Sequence, residues 1–550
     1  GVEQRPNLTF ARYGERTLQL DLFRPQQRDQ PLPAVVCIHG GGWYTGDRTS
    51  MVPLAQALAA RGFVAVAISY RLSGEAKFPA AIEDCKAAVR WLRTNADEYG
   101  VDPRAIGATG LSAGGHLAAL LATSGDLGEL EGGGGDAGQS SRVQAAVAMG
   151  AQSDLESARI GELSRPPSDP FYRTFLGGSQ DDVPQHYAAA SPRHHLDRND
   201  PPLLFMTGEL DDPSTHAVDT RRDLMRLGIA TGLVVIPQAP HGFLGREPWF
   251  TTALDATAGF FDRYLRDGGN APLAFSSEAL RDKLFPADAQ WRRLGGGYAG
   301  CEGAQWIDEQ GAPTLLFAAQ HDHLAMRWTQ REGLRAWRDD SPEATSFRPA
   351  GHGGYYVVEQ TQRRLVRWGA DGHVEVLAEK FDGKRLNRPN DVVVKSDGTL
   401  WFTDPNYLFK PRPQEKQELP GQYVFRFDPR TAELRVAASD VAMPNGIAFS
   451  PDQQSLFVTD AAGDSIFRWP VEPAGSLGKR ETFAKVPCKG LDGLAFDPQG
   501  HLWCAARDGV HVFTPEGREL GVFALPEKPT SIAFYDGSQR WVCVTTREAA

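Results

Sequence analysis

No C-x-x-C pair occurs in this chain, and its six cysteines, Cys37, Cys85, Cys301, Cys488, Cys504 and Cys543, lie far apart. That spacing excludes a zinc-knuckle pattern, and the cysteines are expected to be buried free thiols rather than a disulfide framework. No apolar run approaches the ~18 residues that a membrane-spanning helix needs. Basic residues are outnumbered, 58 Lys+Arg against 69 Asp+Glu, for a formal net charge of −11. Nucleic acid requires a basic surface, so that class of partner is excluded. The first residues, GVEQRPNLTF, lack the charged-then-apolar pattern of an export leader. A soluble protein is expected, either secreted or periplasmic after loss of a leader, or cytoplasmic.

Glycine, in contrast, is abundant, with 58 in 550 residues. A chain of this length exceeds one core, and about two to four domains are expected. Over the first ~270 residues, short and nearly continuous apolar runs recur: PAVVCI (33–38), GFVAVAISY (62–70), RAIGATG (104–110), VQAAVAM (143–149), PPLLFMTG (201–208) and TGLVVIP (231–237). Continuous apolarity suits parallel strands covered on both faces. Between them AIEDCKAAVRWLRTNA sets Ile82, Cys85, Val89 and Leu92 on one helix face. Alternation of strand and helix implies an α/β sheet, mostly parallel and flanked by helices. GELEGGGGDAGQSS (128–141) is expected to be a flexible loop, and the Pro-rich 160–200 stretch an insertion over the carboxyl edge of the sheet.

After DGGNAPL (267–273) the helical patterns fade, and the domain boundary is placed there, giving domains of 1–272 and 273–550. The second half repeats a unit of a polar pair, an apolar triplet, a turn and another strand. Its heads are Glu302, Asn390, Asn445, Asp492 and Thr530. Most successive heads are roughly 40–55 residues apart, the scale of a four-stranded blade. The longer interval after Glu302 leaves room for an eroded blade near 347–359. A six-bladed β-propeller is expected.

A G-x-S-x-G match is weak by itself in a glycine-rich chain. GLSAGGH (110–116), however, follows an apolar run and precedes the helix former HLAALLATS. Strand, tight turn and helix form the setting of a nucleophile elbow, with Ser112 as nucleophile. Upstream, HGGGW (39–43) directly follows PAVVCI, where residues without side chains turn backbone N–H groups toward developing negative charge. PPLLFMTGELDD supplies Asp211 or Asp212, of which Asp211 is preferred, and VVIPQAPHGF supplies His241. The order Ser, Asp, His is that of a hydrolase triad on an α/β sheet.

These motifs, with KFPAAIEDCKAAVRWLR and VDPRAIGATGLSAGGHLAALLA, make residues 8–268 resemble the α/β-hydrolase esterases. The likeness is to the group that shares HGGGW with hormone-sensitive-lipase-like enzymes and with feruloyl and acetyl xylan esterases. The resemblance implies an oxyanion hole from the N–H groups of Gly41, Gly42 and Ala113, with Trp43 a substrate contact. It implies hydrolysis of small-molecule or carbohydrate esters without a cofactor. Only ~30 residues precede the first buried strand, too few for the helical cap of the lipase-like branch.

In the second half, the repeat heads converge on one end of the channel if each triplet begins an innermost strand. Carboxylates and amide oxygens there suit a hard cation, Ca²⁺, Mg²⁺ or Mn²⁺. LNRPNDVVVKSDGTLWFTDP, MPNGIAFSPDQQSLFVTD, LDGLAFDPQGHLW and CEG resemble the gluconolactonase/regucalcin (senescence-marker) family. The resemblance implies that Glu302, Asn445 and Asp492 hold a divalent metal, Ca²⁺ foremost. It gives Asn390 to metal or substrate, and makes Asp492 also the base for opening a sugar lactone. The sequence departs from the family in E-G-A at 302–304, where E-G-P is usual. Three roles stay open for this half: a lactonase, a carbohydrate-binding module, or a module that shapes the esterase site.

Overall fold

A computed structural model describes residues 1–547 except 28–29, 126, 267–272, 287–288, 310, 352, 407–414 and 537–539. The chain forms two compact units, Gly1–Ala271 with Gly295–Gly297, and Pro272–Leu294 with Tyr298–Ala550. The boundary expected at 267–273 falls almost wholly on residues 267–272, outside the described residues.

The first unit is built on one eight-stranded sheet. Its strands are β1 (Val2–Tyr13), β2 (Arg16–Pro25), β3 (Leu32–Ile38), β4 (Val64–Ile68), β5 (Val101–Leu111), β6 (Ala145–Met149), β7 (Leu203–Gly208) and β8 (Thr231–Ile236), in the order β1-β2-β4-β3-β5-β6-β7-β8. The six apolar runs all become strands, and β4, β3, β5, β6, β7 and β8 are mutually parallel. The antiparallel pair β1 and β2 was not expected. Neither segment runs continuously apolar: β1, at the sheet's edge, carries the exposed stretch Gln4–Asn7, and β2 alternates polar with apolar residues.

Both faces of the sheet are covered, which explains the continuous apolarity. Along β3, Ala34, Val36 and Ile38 enter one core with Ile82, Val89 and Leu117, while Val35 and Cys37 enter the other with Leu54, Leu58 and Phe261. Helices α1 (Val52–Ala60), α2 (Ala80–Thr94), α3 (Ala113–Thr123) and α4 (Trp249–Phe261) supply these partners. The 128–141 segment is more anchored than its composition implies. Buried Lys86 and Arg90 each donate to Glu131 at 2.7 Å, and Ser141 Oγ donates to the same carboxylate.

The second unit is a β-propeller-like arrangement of small antiparallel sheets. Six blades were expected, but five sheets of four or more strands are found among the described residues. The first sheet begins at Cys301–Glu309. The second, Ala344–Pro349 to Val374–Ala378, occupies the interval where an eroded repeat was placed. The third begins at Val392–Val394, the fourth at Pro444–Phe449 and the fifth at Leu494–Phe496, with Ala274–Phe275 added at the outer edge of the fifth. The last repeat, from Thr530, yields only the hairpin Lys528–Asp536 and Arg540–Arg547. Among the described residues its two strands pair with each other alone.

Apolar clusters join successive sheets: Ala318 with Phe347, Val358 with Phe402, Trp401 with Val458, Phe457 with Leu502, and Trp503 with Ile532. The Ala304 N–H donates to Ser531 Oγ at 2.9 Å, linking the first sheet to the final hairpin.

Candidate functional site

The turn from β5 into α3 places Ser112 at φ 59°, ψ −120°, a conformation that costs a non-glycine residue about 1–3 kcal/mol. The strain is held by packing. A Cβ on Gly114 would lie 2.0 Å from the Ile38 carbonyl oxygen, so only glycine lets α3 approach β3 this closely. The Ser112 N–H donates to the Met149 carbonyl at 2.8 Å, fixing the turn to β6.

His241 follows β8 and Asp211 follows β7. Ser112 Oγ donates to His241 Nε2 at 2.8 Å, and His241 Nδ1–H donates to Asp211 Oδ2 at 2.8 Å. The Asp211 side chain is only 5% exposed and receives the Asp212 N–H on Oδ1 at 2.7 Å. Its hydrogen bond holds the His241 pKa above the ordinary imidazole value. The neighbouring Asp212 is engaged elsewhere. Its oxygens cap the turn at Ser214 and pair with Arg159, and the Ser214 hydrogen bonds push its carboxyl down to about 2.

Gly41 and Gly42 adopt φ of 112° and 59° in the loop after β3. Their N–H groups take no acceptor within the protein among the described residues. Ala113, the first residue of α3, has no intrahelical partner for its N–H either. Trp43, expected to touch substrate, is instead buried at 4% exposure. Its indole stacks on Phe175 at 4.5 Å and donates Nε1–H to His116 Nδ1 at 3.1 Å.

His116 in turn donates Nε2–H to the Ala190 carbonyl at 2.7 Å, and burial lowers its pKa to about 4. A neutral imidazole thus ties the HGGGW loop to α3 and to the 152–200 connection. Although His116 stands in the motif itself, this role is invisible in sequence because both partners are distant. The same connection brings Phe171, 44% exposed, against Gly42.

In the second unit Glu302, Asn390, Asn445, Asp492 and Thr530 line one small cavity, as their shared place in the repeat predicts. The first four are about 5–7% exposed. Burial, then the charge of Asp492, raises the Glu302 pKa well above the usual carboxylate range. Two buried carboxylates beside two amides form a donor set that fits a hard divalent cation.

Residues besides the repeat heads also reach the site. Asp391, second of the polar pair headed by Asn390, and Arg348 line the cavity, Lys528 Nζ donates to Asp492 Oδ2 at 2.9 Å, and Arg547 donates to Glu302 Oε1 at 2.9 Å. Lys528 precedes the head Thr530 by two positions. No disulfide joins any of the six cysteines; Cys301, Cys488 and Cys543 are only partly buried, contrary to expectation.

The first unit is an α/β hydrolase with a serine-histidine-aspartate chain, and the second is a gluconolactonase-like propeller. Residues 20–219 match the family described as BD-FAE, and residues 301–548 match the SMP-30/Gluconolactonase/LRE-like region. The chain therefore carries a BD-FAE, esterase/lipase-like domain in its N-terminal half and an SMP-30/gluconolactonase-like domain in its C-terminal half.

The chain is 32% identical over 243 residues to Esterase LipC of Mycobacterium tuberculosis, covering 42% of this chain and 58% of that one. It is 26% identical over 275 residues to the Gluconolactonase of Zymomonas mobilis, covering 45% and 74%. A solved gluconolactonase of Xanthomonas campestris is 29% identical, covering 50% and 93%, with a TM-score of 0.46. The chain spans only 58%, 55% and 47% of the curated esterases LipC, LipQ and LipM. No helix among the described residues is long and apolar enough to cross a membrane.

Proposed function

We propose that residues 1–272 form a serine carboxylesterase that removes acetyl or feruloyl groups from carbohydrate, xylan-type esters through an acyl-enzyme. We propose further that residues 273–550 form a metal-dependent lactonase on the β-propeller-like unit. The observation that carries the esterase reading is the unbroken Ser112–His241–Asp211 chain, with both hydrogen bonds at 2.8 Å.

In the first unit, Ser112 Oγ attacks the ester carbonyl carbon as its proton passes to His241 Nε2. Asp211 keeps the proton on Nδ1 and stabilises the imidazolium. The N–H groups of Gly41, Gly42 and Ala113 receive the oxyanion, one such donor being worth about 3–4 kcal/mol in the transition state. His241 then protonates the leaving alcohol, and a water deprotonated by the same ring releases the acyl group. Phe171 beside Gly42 offers an apolar wall to the acyl chain.

In the second unit, Glu302, Asn445 and Asp492 would hold the cation, which supplies polarisation of a lactone carbonyl. Asn390 and Arg348 orient the sugar hydroxyls, and Asp492 accepts a proton from water. Ca²⁺ suits the oxygen donors best, with Mg²⁺ and Mn²⁺ as alternatives.

Lys528 and Arg547 favour a second reading. By pairing with both acids they offset the charge that a cation would otherwise neutralise, as in a non-catalytic carbohydrate-binding module joined to a generic short-chain esterase. Gluconolactone hydrolysis by Ser112→Ala protein, with Ca²⁺ and then with excess chelator, separates the two. Disabling the serine first removes lactone opening by the esterase. Chelator-sensitive turnover supports two catalysts, and its absence leaves the second reading. Ester turnover persisting in Ser112→Ala overturns the esterase assignment.

A further inference from the structure

One cluster in the second unit takes no part in either site. Cys488 lies in the turn after strand Glu481–Lys485, Asp508 in the turn between strands Leu502–Ala506 and Gly509–Phe513, and His511 midway along the latter strand. The thiol donates to Asp508 Oδ1 at 3.0 Å, and His511 Nε2 lies 3.0 Å from the same oxygen. The ligand atoms of all three residues lie within 4.8 Å of one another. Among the described residues this is the single group of three or more Cys, His, Asp or Glu side chains so arranged.

A fourth residue decides how the imidazole faces. His511 is 1% exposed, and its Nδ1–H donates to Glu519 Oε1 at 2.6 Å. The ring is held between two carboxylates, with Nε2 turned toward Asp508 Oδ1 and the Cys488 thiol. A divalent cation placed there engages nitrogen, oxygen and sulfur together. A carboxylate gripping the far nitrogen is also the arrangement that orients a metal-ligating histidine.

The donor set differs from that of the propeller cavity. Sulfur, imidazole nitrogen and one carboxylate suit a borderline-soft ion of the zinc class rather than Ca²⁺ or Mg²⁺. Asp508 is 49% exposed, which leaves a path for the ion and room for a water as fourth ligand.

We propose that Cys488, His511 and Asp508 bind a zinc-class divalent cation, with Glu519 as the positioning residue. Binding forms one bond each to Sγ, Nε2 and a carboxylate oxygen, and the thiol proton leaves to solvent. The ion ties the turn carrying Cys488, four residues before Asp492, to the neighbouring hairpin.

Titration of metal-free, full-length protein with Co²⁺ tests this site. A thiolate-to-cobalt charge-transfer absorption in the near ultraviolet, saturating at one equivalent and abolished by Zn²⁺, is expected. An all-oxygen site cannot produce it. Cys488→Ser removes the band, whereas Cys543→Ser keeps it. Glu519→Gln keeps the band but weakens binding about 10–100-fold, the usual effect of losing such a partner. No band, or a band that survives Cys488→Ser, overturns the proposal. If Cys488→Ser does not fold, alkylation of the wild-type thiol mapped by mass spectrometry decides. Protection of Cys488 by Zn²⁺ supports the site, and equal labelling with and without Zn²⁺ overturns it.

Discussion

Asp211→Asn changes two atoms and leaves the volume of the triad intact. The Asp212 N–H donates to Oδ1 at 2.7 Å, so the introduced amide keeps its carbonyl there and turns its NH₂ toward His241 Nδ1. That amide donates where the carboxylate accepted. The ring is driven to the tautomer with its proton on Nε2, which can no longer take the proton of Ser112. Loss of the negative charge also removes the partner of the imidazolium. Where this change has been made in a serine triad, kcat falls about 10⁴-fold, about 5.5 kcal/mol at ~1.4 kcal/mol per decade.

The structure adds a direction in pH. Esterase activity needs neutral His241, whose pKa Asp211 holds above the ordinary value. The acid limb of kcat/KM should therefore lie above the ordinary imidazole pKa in the wild type and move to lower pH in Asp211→Asn. The assay is p-nitrophenyl acetate hydrolysis across about pH 5 to 9, spanning the imidazole range. A loss below tenfold with an unmoved acid limb refutes the role given to Asp211.

Two further outcomes concern stability. His116→Phe keeps the ring volume but orphans Trp43 Nε1–H and the Ala190 carbonyl, at about 1–3 kcal/mol for each buried group left unpaired. The denaturation midpoint of the hydrolase domain should fall accordingly; an unchanged midpoint means the bridge contributes nothing. Glu302 has a folded pKa above its unfolded value, so its contribution is fully present below the ordinary glutamate pKa and is lost as pH rises through the folded value. Thermal melts of metal-free protein should show the propeller weakening over that range, with Glu302→Gln flattening the dependence. A wild-type slope identical to that of Glu302→Gln counts against the buried acid.

The parallel strands of the hydrolase were legible because burial on both faces makes each a continuous apolar run. β1 and β2 were not, since β1 carries an exposed stretch at the sheet's edge and β2 alternates polar with apolar residues, so neither shows such a signature. The order of Ser112, Asp211 and His241 was legible, and so was the preference for Asp211, but the engagement of Asp212 with Ser214 and Arg159 required coordinates. Trp43 and His116 sit in quoted motifs, yet their meeting joins residues 73 positions apart, beyond any local pattern. Repetition made the cavity heads of the propeller legible. Arg348 lies in the stretch whose repeat is eroded, Lys528 and Arg547 flank the last repeat, and nothing periodic marks the three. The last repeat matched the others in sequence, but strand pairing decides whether a blade has four strands, and that is not a property of one motif.

In the proposed esterase, the triad with its oxyanion loop and the wall offered to the acyl group come from different stretches of chain. Ser112, Asp211, His241 and the loop at Gly41–Gly42 follow four separate parallel strands, whereas Phe171 belongs to the connection between β6 and β7. That connection is built of short helices, Ala158–Ser164, Tyr172–Leu176 and Pro184–Ala190, packed over the motif through Trp43. Substitutions at Phe171 alter what lies beside the oxyanion loop while leaving every hydrogen bond of the triad in place. A lineage carrying this scaffold can drift from one ester to another by editing a single surface segment. The same separation makes that segment the place to begin when redirecting the enzyme by directed evolution.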